Sequence, residues 1–134
     1  MRAVLDSNVL IAALISRTGA PAEVVARGLA GAFEIVVSDT LLTELREALA
    51  TPKLRKRVLP EEAAEFAALL TVHAVPFPDP SPPPSRSADP DDDYLLALAE
   101  HARCVLVSGD RHLLDLASEL PVRTPRDFLL MLGQ

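Results

Sequence analysis

The chain has no tryptophan, a single cysteine and only 4% aromatic residues. A buried core must then be assembled mainly from Ala, Leu and Val. No apolar run approaches the roughly 20 residues a membrane-spanning helix needs, so no membrane association is expected. The opening Met1-Arg2-Ala3-Val4-Leu5-Asp6 reaches an acid before any long apolar stretch, which argues against a secretion signal. Cys104 alone cannot close a disulfide within the chain and suits a reducing cytoplasm; heading an apolar run, it reads as a core residue. Positive charge is scarce: 13 Lys and Arg stand against 19 Asp and Glu, a net charge of −6. Proteins that grip nucleic acid by neutralising phosphates are usually basic. This balance argues against a strong nonspecific binder, but not against a nuclease whose acids are neutralised by bound cations. A phosphate-cradling glycine loop and a serine elbow are both missing, and His73, His101 and His112 lack metal-ligand spacing.

What is present reads as alternating strands and helices. At 134 residues the chain fits one domain, 1–134, with a core of useful size. Residues 2–5 form a short buried strand, and Ser7 or Asn8 is placed to cap a helix through about Leu14. Pro21 opens a second helix to about Leu29, Glu34–Val37 is a second strand, and Ser38 or Asp39 caps a third helix over 39–50. Pro60 opens a helix to about Leu70, and a third strand falls within 72–77. Residues 76–90 carry seven prolines among serines and read as an extended connector. A helix over 91–102, a strand over 104–107, a helix over 110–118, a short strand over 120–123 and a helix from Pro125 to about Leu132 complete the chain. This alternation predicts an α/β fold, a parallel sheet with helices on both faces. The basic cluster Lys53, Arg55, Lys56 and Arg57 reads as a solvated helix end.

Four carboxylates look out of place. Asp6 ends the first strand, yet Ser7 and Asn8 are available as caps, so capping alone does not require it. Asp110 ends the fourth strand after Gly109, with Ser108 also able to cap. In an open α/β sheet the carboxyl ends of adjacent strands form the ligand crevice. Glu44 shares a stripe with the apolar Leu41 and Ala48, where a carboxylate is costly unless paired or metal-bound; Arg46 and Arg55 are the partners in reach. In the Asp91-Asp92-Asp93 run, helical spacing turns Asp92 toward the face of Leu95, Ala99 and Ala102, with Asp93 pointing largely away. Several carboxylates in one crevice require a counter-charge, and oxygen-only ligands select Mg²⁺ or Mn²⁺. Phosphodiester hydrolysis is the chemistry such a site suits.

Taken in order, the motifs Val4-Leu5-Asp6-Ser7-Asn8, Ser38-Asp39-Thr40-Leu41-Leu42-Thr43-Glu44, Asp89-Pro90-Asp91-Asp92-Asp93-Tyr94-Leu95 and Val107-Ser108-Gly109-Asp110 resemble PIN-domain ribonucleases. The match is nearest to bacterial VapC-type toxins of toxin–antitoxin systems. The resemblance implies a three-layer α/β/α sandwich around a parallel sheet, with an acidic pocket that binds Mg²⁺ or Mn²⁺ and cuts RNA. It puts the catalytic acids at Asp6, Glu44, Asp92 and Asp110, with Asp6, Asp92 and Asp110 on the metal. Asn8 and Ser108 line the pocket, and Asp93 is the neighbour onto which the register slides. A homodimer and a cognate antitoxin are further implications.

Rival readings differ in specific residues. A haloacid-dehalogenase phosphatase needs an acid where Asn8 stands and a lysine near a late strand, and a receiver domain needs the same lysine. The only lysines are Lys53 and Lys56. A noncatalytic PIN module that binds RNA or protein, and an RNA-maturation nuclease without a toxin role, stay open. With so acidic a chain, a dimer groove or the cluster near Lys53 is expected to supply the RNA contacts.

Overall fold

The computed structural model describes residues 1–79 and 93–133. Its centre is β1 (Arg2–Leu5), whose Ala3, Val4 and Leu5 are fully buried. A strand covered on both faces carries no alternation of apolar and polar side chains, and β1 shows none. On one side it pairs in parallel with β2 (Glu34–Val37), Val4 facing Val36. On the other it pairs in parallel with β4 (Val105–Val107), Val4 facing Leu106 and Leu5 facing Val107. The two-residue strands β3 (Val75–Pro76) and β5 (Val122–Arg123) extend the sheet to the order β3-β2-β1-β4-β5, all parallel. Residues before and after the proline-rich connector thus contribute to one sheet.

Eight helices surround it among the described residues: α1 (Ser7–Ile15), α2 (Ala20–Leu29), α3 (Asp39–Leu49), α4 (Pro52–Arg55), α5 (Pro60–His73), α6 (Asp93–His101), α7 (Arg111–Leu114) and α8 (Pro125–Leu132). The result is the α/β/α sandwich the alternation predicts. The chain first builds outward from β1 through β2 to β3, then returns to the other flank of β1 for β4 and β5. Strand order therefore reverses between β1 and β4. That switch point, at the carboxyl ends of the two strands, is where an open parallel sheet leaves a crevice.

Several element boundaries differ from expectation for identifiable reasons. Helix α5 runs on to His73 and carries Val72, 77% exposed, so the third strand shrinks to Val75–Pro76. Pro76, expected to open the connector, is in that strand. It sits on the edge, pairing only with β2, where a missing N–H costs no ladder bond. Thr51-Pro52, a stop for α3, also starts the short α4, because proline suits a first helical turn. The basic cluster on and after α4 is exposed, as expected. Helix α7 is regular only to Leu114 and continues in tighter turns, Leu116 N donating to Leu113 O and Ala117 N to Leu114 O. Residues 80–92 of the connector and acid run lie outside the described residues.

Cys104 packs half-buried against the core, and burial pushes its thiol up to about 11. It behaves as a core residue and is not a reactive thiolate.

Helix α2 approaches β2 closely at Gly28. A Cβ there would lie 2.6 Å from Ile35 Cδ1 and 2.9 Å from Phe33 Cζ, both side chains buried. Replacing glycine by alanine in a helix interior ordinarily gains up to about 1 kcal/mol. Here overpacking reverses the sign, and Gly28→Ala is expected to destabilise the protein by roughly 1–3 kcal/mol. Urea denaturation checks this; a variant as stable as wild type would refute the close packing.

Candidate active site

Asp6 is the residue after β1, and its backbone N–H donates to Val107 O at 2.9 Å. The β1–β4 ladder thus runs one residue past the strand and sets Asp6 beside Ser108. Its carboxylate, 2% exposed, is held from two sides: Oδ1 accepts from the Asn8 N–H at 3.2 Å and Oδ2 from Ser108 Oγ at 2.7 Å. Asp6 is therefore itself the N-cap of α1, and neither Ser7 nor Asn8 serves. Asp110 likewise caps α7, accepting from the His112 N–H at 2.8 Å, while Ser108 Oγ accepts from the Asp110 N–H at 3.0 Å. The presence of other possible caps therefore does not free these acids from capping, contrary to expectation. Both cap, and Asp110 does so through Oδ1 alone, leaving Oδ2 without a partner among the described residues.

Glu44 reaches the same crevice from α3, half-buried. Its partners are not Arg46 or Arg55. Oε1 accepts from Ser7 Oγ at 2.7 Å and Oε2 from the Tyr94 hydroxyl at 2.6 Å. Ser7 has one hydroxyl hydrogen, and its 3.5 Å approach to Asp6 Oδ1 is too long to compete for it. Ser7 and Tyr94 orient Glu44, and nothing in helical spacing singles them out. The signal available was that Ser7 follows Asp6 directly and Tyr94 is the only tyrosine.

Asp93 departs from its expected outward direction. It is 3% exposed in the first turn of α6, a helix that packs on β1 and β4. Positions 95–99 of that helix are buried without a break, so it has almost no outward face for a helical wheel to find. Asp92 lies outside the described residues. Asn8 is exposed at the pocket mouth and Ser108 is fully buried within it. His112 is a surface residue, its Nδ1 3.6 Å from Asp110 Oδ1.

Electrostatically the pocket is costly as it stands. Burial, above all, holds the Asp6 carboxyl above its ordinary value; repulsion from Glu44 and Asp110 adds to this, while the Ser108 and Asn8 hydrogen bonds pull the other way. Every donor is an oxygen, so the chemistry of the set fits a hard divalent cation. Among the described residues no three acids stand as a ready-made cage for one.

A parallel sheet with carboxylates converging at its switch point defines the class: an α/β protein built around an acidic crevice. The family model for the PIN domain matches residues 2–112, and the chain belongs to that family. It is 26% identical, over 96% of its own length and 90% of the relative's, to MJ1680, an uncharacterized protein of Methanocaldococcus jannaschii. Its fold is similar to the protein PAE2754 of Pyrobaculum aerophilum (TM-score 0.65, 20% identity, 98% of this chain and 88% of the other). It is also similar to a chain of VapBC2 from Rickettsia felis, solved bound to a DNA fragment from its promoter (TM-score 0.64, 11% identity, 92% of this chain and 98% of the other).

Because the folded state holds the Asp6 proton more tightly than the unfolded chain, Asp6 is neutral to stability below its ordinary pKa of 3.8. It becomes destabilising as pH rises from there through the raised folded value. Asp6→Asn keeps an acceptor for Asn8 and offers a donor to Ser108. Without divalent metal its melting temperature is expected to exceed that of wild type, by a margin that widens with pH across this window. Mg²⁺ or Mn²⁺ should raise the wild-type value and leave the variant's unchanged. Identical melting curves at every pH and metal concentration would remove the electrostatic cost assigned to Asp6.

Proposed function

We propose that the chain is a metal-dependent endoribonuclease, the toxin of a toxin–antitoxin pair, acting in the cytoplasm. The observation that carries this reading is the convergence of Asp6, Glu44 and Asp110 on one crevice, with Asp6 buried and charged only at a cost. In it, Asp6 and Asp110, with an acid of the Asp92-Asp93 pair, would hold one or two Mg²⁺ or Mn²⁺ ions. Such an ion, when bound, polarises the phosphoryl oxygen and favours hydroxide formation from water. The protein's own part is positional. Ser108 and the Asn8 N–H fix the Asp6 carboxylate, the α7 turn fixes Asp110, and Ser7 with Tyr94 aims Glu44 into the pocket as a proton acceptor. Exposed Asn8 stands at the mouth, where a ribose or phosphate oxygen can meet it.

For the third acid the sequence favours Asp92, whereas burial in the first turn of α6 favours Asp93. The fold shared with a chain of the VapBC2 complex supports a small antitoxin as partner, and a homodimer is part of the same reading. A noncatalytic module binding RNA or protein is the second reading, since among the described residues no three acids form a cage for a cation.

Cleavage of RNA by wild type in Mn²⁺, abolished by EDTA, is the expected result. Asp6→Asn should lower the rate by about 100-fold or more, the scale on which even outer-shell partners of a metal act. Equal cleavage in all conditions would end the metal mechanism, and no cleavage of any RNA by wild type would favour the binding module. Asp92→Asn and Asp93→Asn decide the register: the third acid is whichever variant loses activity while keeping the wild-type fold by circular dichroism.

A further inference from the structure

The acid crevice does not stop at the acids. A cavity of about 290 Å³ beside them is lined by Asn8, Gly109 and Asp110 together with Pro21 and Pro125. A second groove, of about 840 Å³, is lined by Ala20 and Ala22, the chain neighbours of Pro21, by Arg126, the neighbour of Pro125, and by Arg17 and Glu23. Neighbouring Cα atoms are about 3.8 Å apart, so both walls of the first cavity pass into the second within one residue. The two hollows thus adjoin at Pro21 and Pro125 and offer a candidate track, with Asp110 lining one end and Arg17 and Arg126 the other.

The helices explain why. At their carboxyl ends α2 and α8 are joined by Arg27 Nη1 donating to Gly133 O at 2.8 Å, and at their amino ends Pro21 and Pro125 line the same cavity. They therefore run parallel, with both positive dipole ends at the track. Gly19, at the α2 N-cap, supplies no side chain to satisfy the first N–H groups. Arg17 and Arg126 are exposed, and neither has a hydrogen-bond or ion-pair partner among the described residues. The one carboxylate on this groove, Glu23, faces Arg27 at 3.5 Å. Two uncommitted guanidiniums, in a chain of net charge −6, line the hollow next to the one that Asp110 lines.

We propose that Arg17 and Arg126 form a phosphate-binding subsite for the RNA strand whose scissile phosphate lies at Asp6 and Asp110. The subsite rests on the ribonuclease reading of the acid pocket. Guanidinium forks match phosphate oxygens, which makes arginine the side chain suited to this task. The contacts follow the backbone, so the subsite serves any base sequence and sets the path of the strand. It displaces the expectation that the exposed cluster near Lys53 carries the RNA.

The test measures binding separately from cleavage. In an Asp6→Asn background with EDTA, the anisotropy of a fluorescein-labelled oligouridylate is titrated at several salt concentrations. Arg17→Gln with Arg126→Gln is expected to weaken binding about 10-fold at low salt. The slope of log affinity against log salt should fall by about 1.4, at about 0.7 for each single-strand phosphate no longer neutralised. Arg17→Lys with Arg126→Lys, which keeps the charge, should restore the slope, while Lys53→Gln with Lys56→Gln should change neither quantity. Unchanged affinity in the arginine variant, weaker binding in the Lys53/Lys56 variant instead, or no RNA binding by the parent would each overturn the subsite. If wild type cleaves RNA yet the arginine variant binds as tightly as its parent, only the subsite falls. If wild type cleaves nothing and the arginine variant still binds more weakly, the subsite stands and hydrolysis falls.

Discussion

The pairing of β1 with β4 is the constraint on which the rest depends. Its last bond, from the Asp6 N–H to Val107 O, lies one residue past β1 and draws a carboxylate to the carboxyl end of an aliphatic sheet. A buried charge of that kind persists only when its oxygens are satisfied. Ser108, just after β4, and the first turn of α1 supply those bonds, so strand pairing, helix capping and the acid site are one arrangement. Ser7, the next residue, carries it to α3 through Glu44, and Glu44 carries it to α6 through Tyr94. A register slip between β1 and β4 would move Asp6 away from Ser108 and break every link after it.

The fold was largely legible because its signals are local and agree with one another. Apolar runs of β-branched residues end at turn formers, prolines sit at helix starts, and each strand is followed by a helix. The order of strands was not legible: that β1 lies between β2 and β4 follows from long-range pairing, which periodicity does not report. The site was legible to the extent that it depends on strand ends. Asp6 and Asp110 follow from strand boundaries, and Glu44 from its place beside an apolar stripe. Its true partners, Ser7 and Tyr94, come from other elements, so helix spacing pointed to neighbouring arginines instead. Asp93 was misdirected for a related reason. A wheel assigns an outside to every helix, but α6 is packed from 95 through 99 and has little outside to assign.

Capping and function are not alternatives at this site. A cap uses one carboxylate oxygen and locks the side chain's rotamer against the helix start. The Asp110 Oδ1 bond to the His112 N–H leaves Oδ2 fixed in direction and open. For a metal ligand that is an advantage, because the ordering entropy is spent in folding and not on binding. Asp6 differs: both of its oxygens are already engaged, so a cation there must share them with the Asn8 N–H and Ser108.

Net charge is the wrong quantity for judging whether such a protein meets RNA. The field a phosphate encounters is set by the charges within about a Debye length, roughly 8–10 Å at moderate salt, and only weakly by the sum over the chain. The acids are gathered at the switch point, where a bound cation would reverse their local effect, and Glu23 is turned toward Arg27. What then faces a strand beyond the acids is the pair of helix amino ends with Arg17 and Arg126. Arg126 stands outside residues 2–112, the span that matches the family. The acid pocket thus lies within that span, whereas half of the basic end of the candidate track comes from α8, after it. The acids and the proposed path of the strand therefore draw on different elements of the fold.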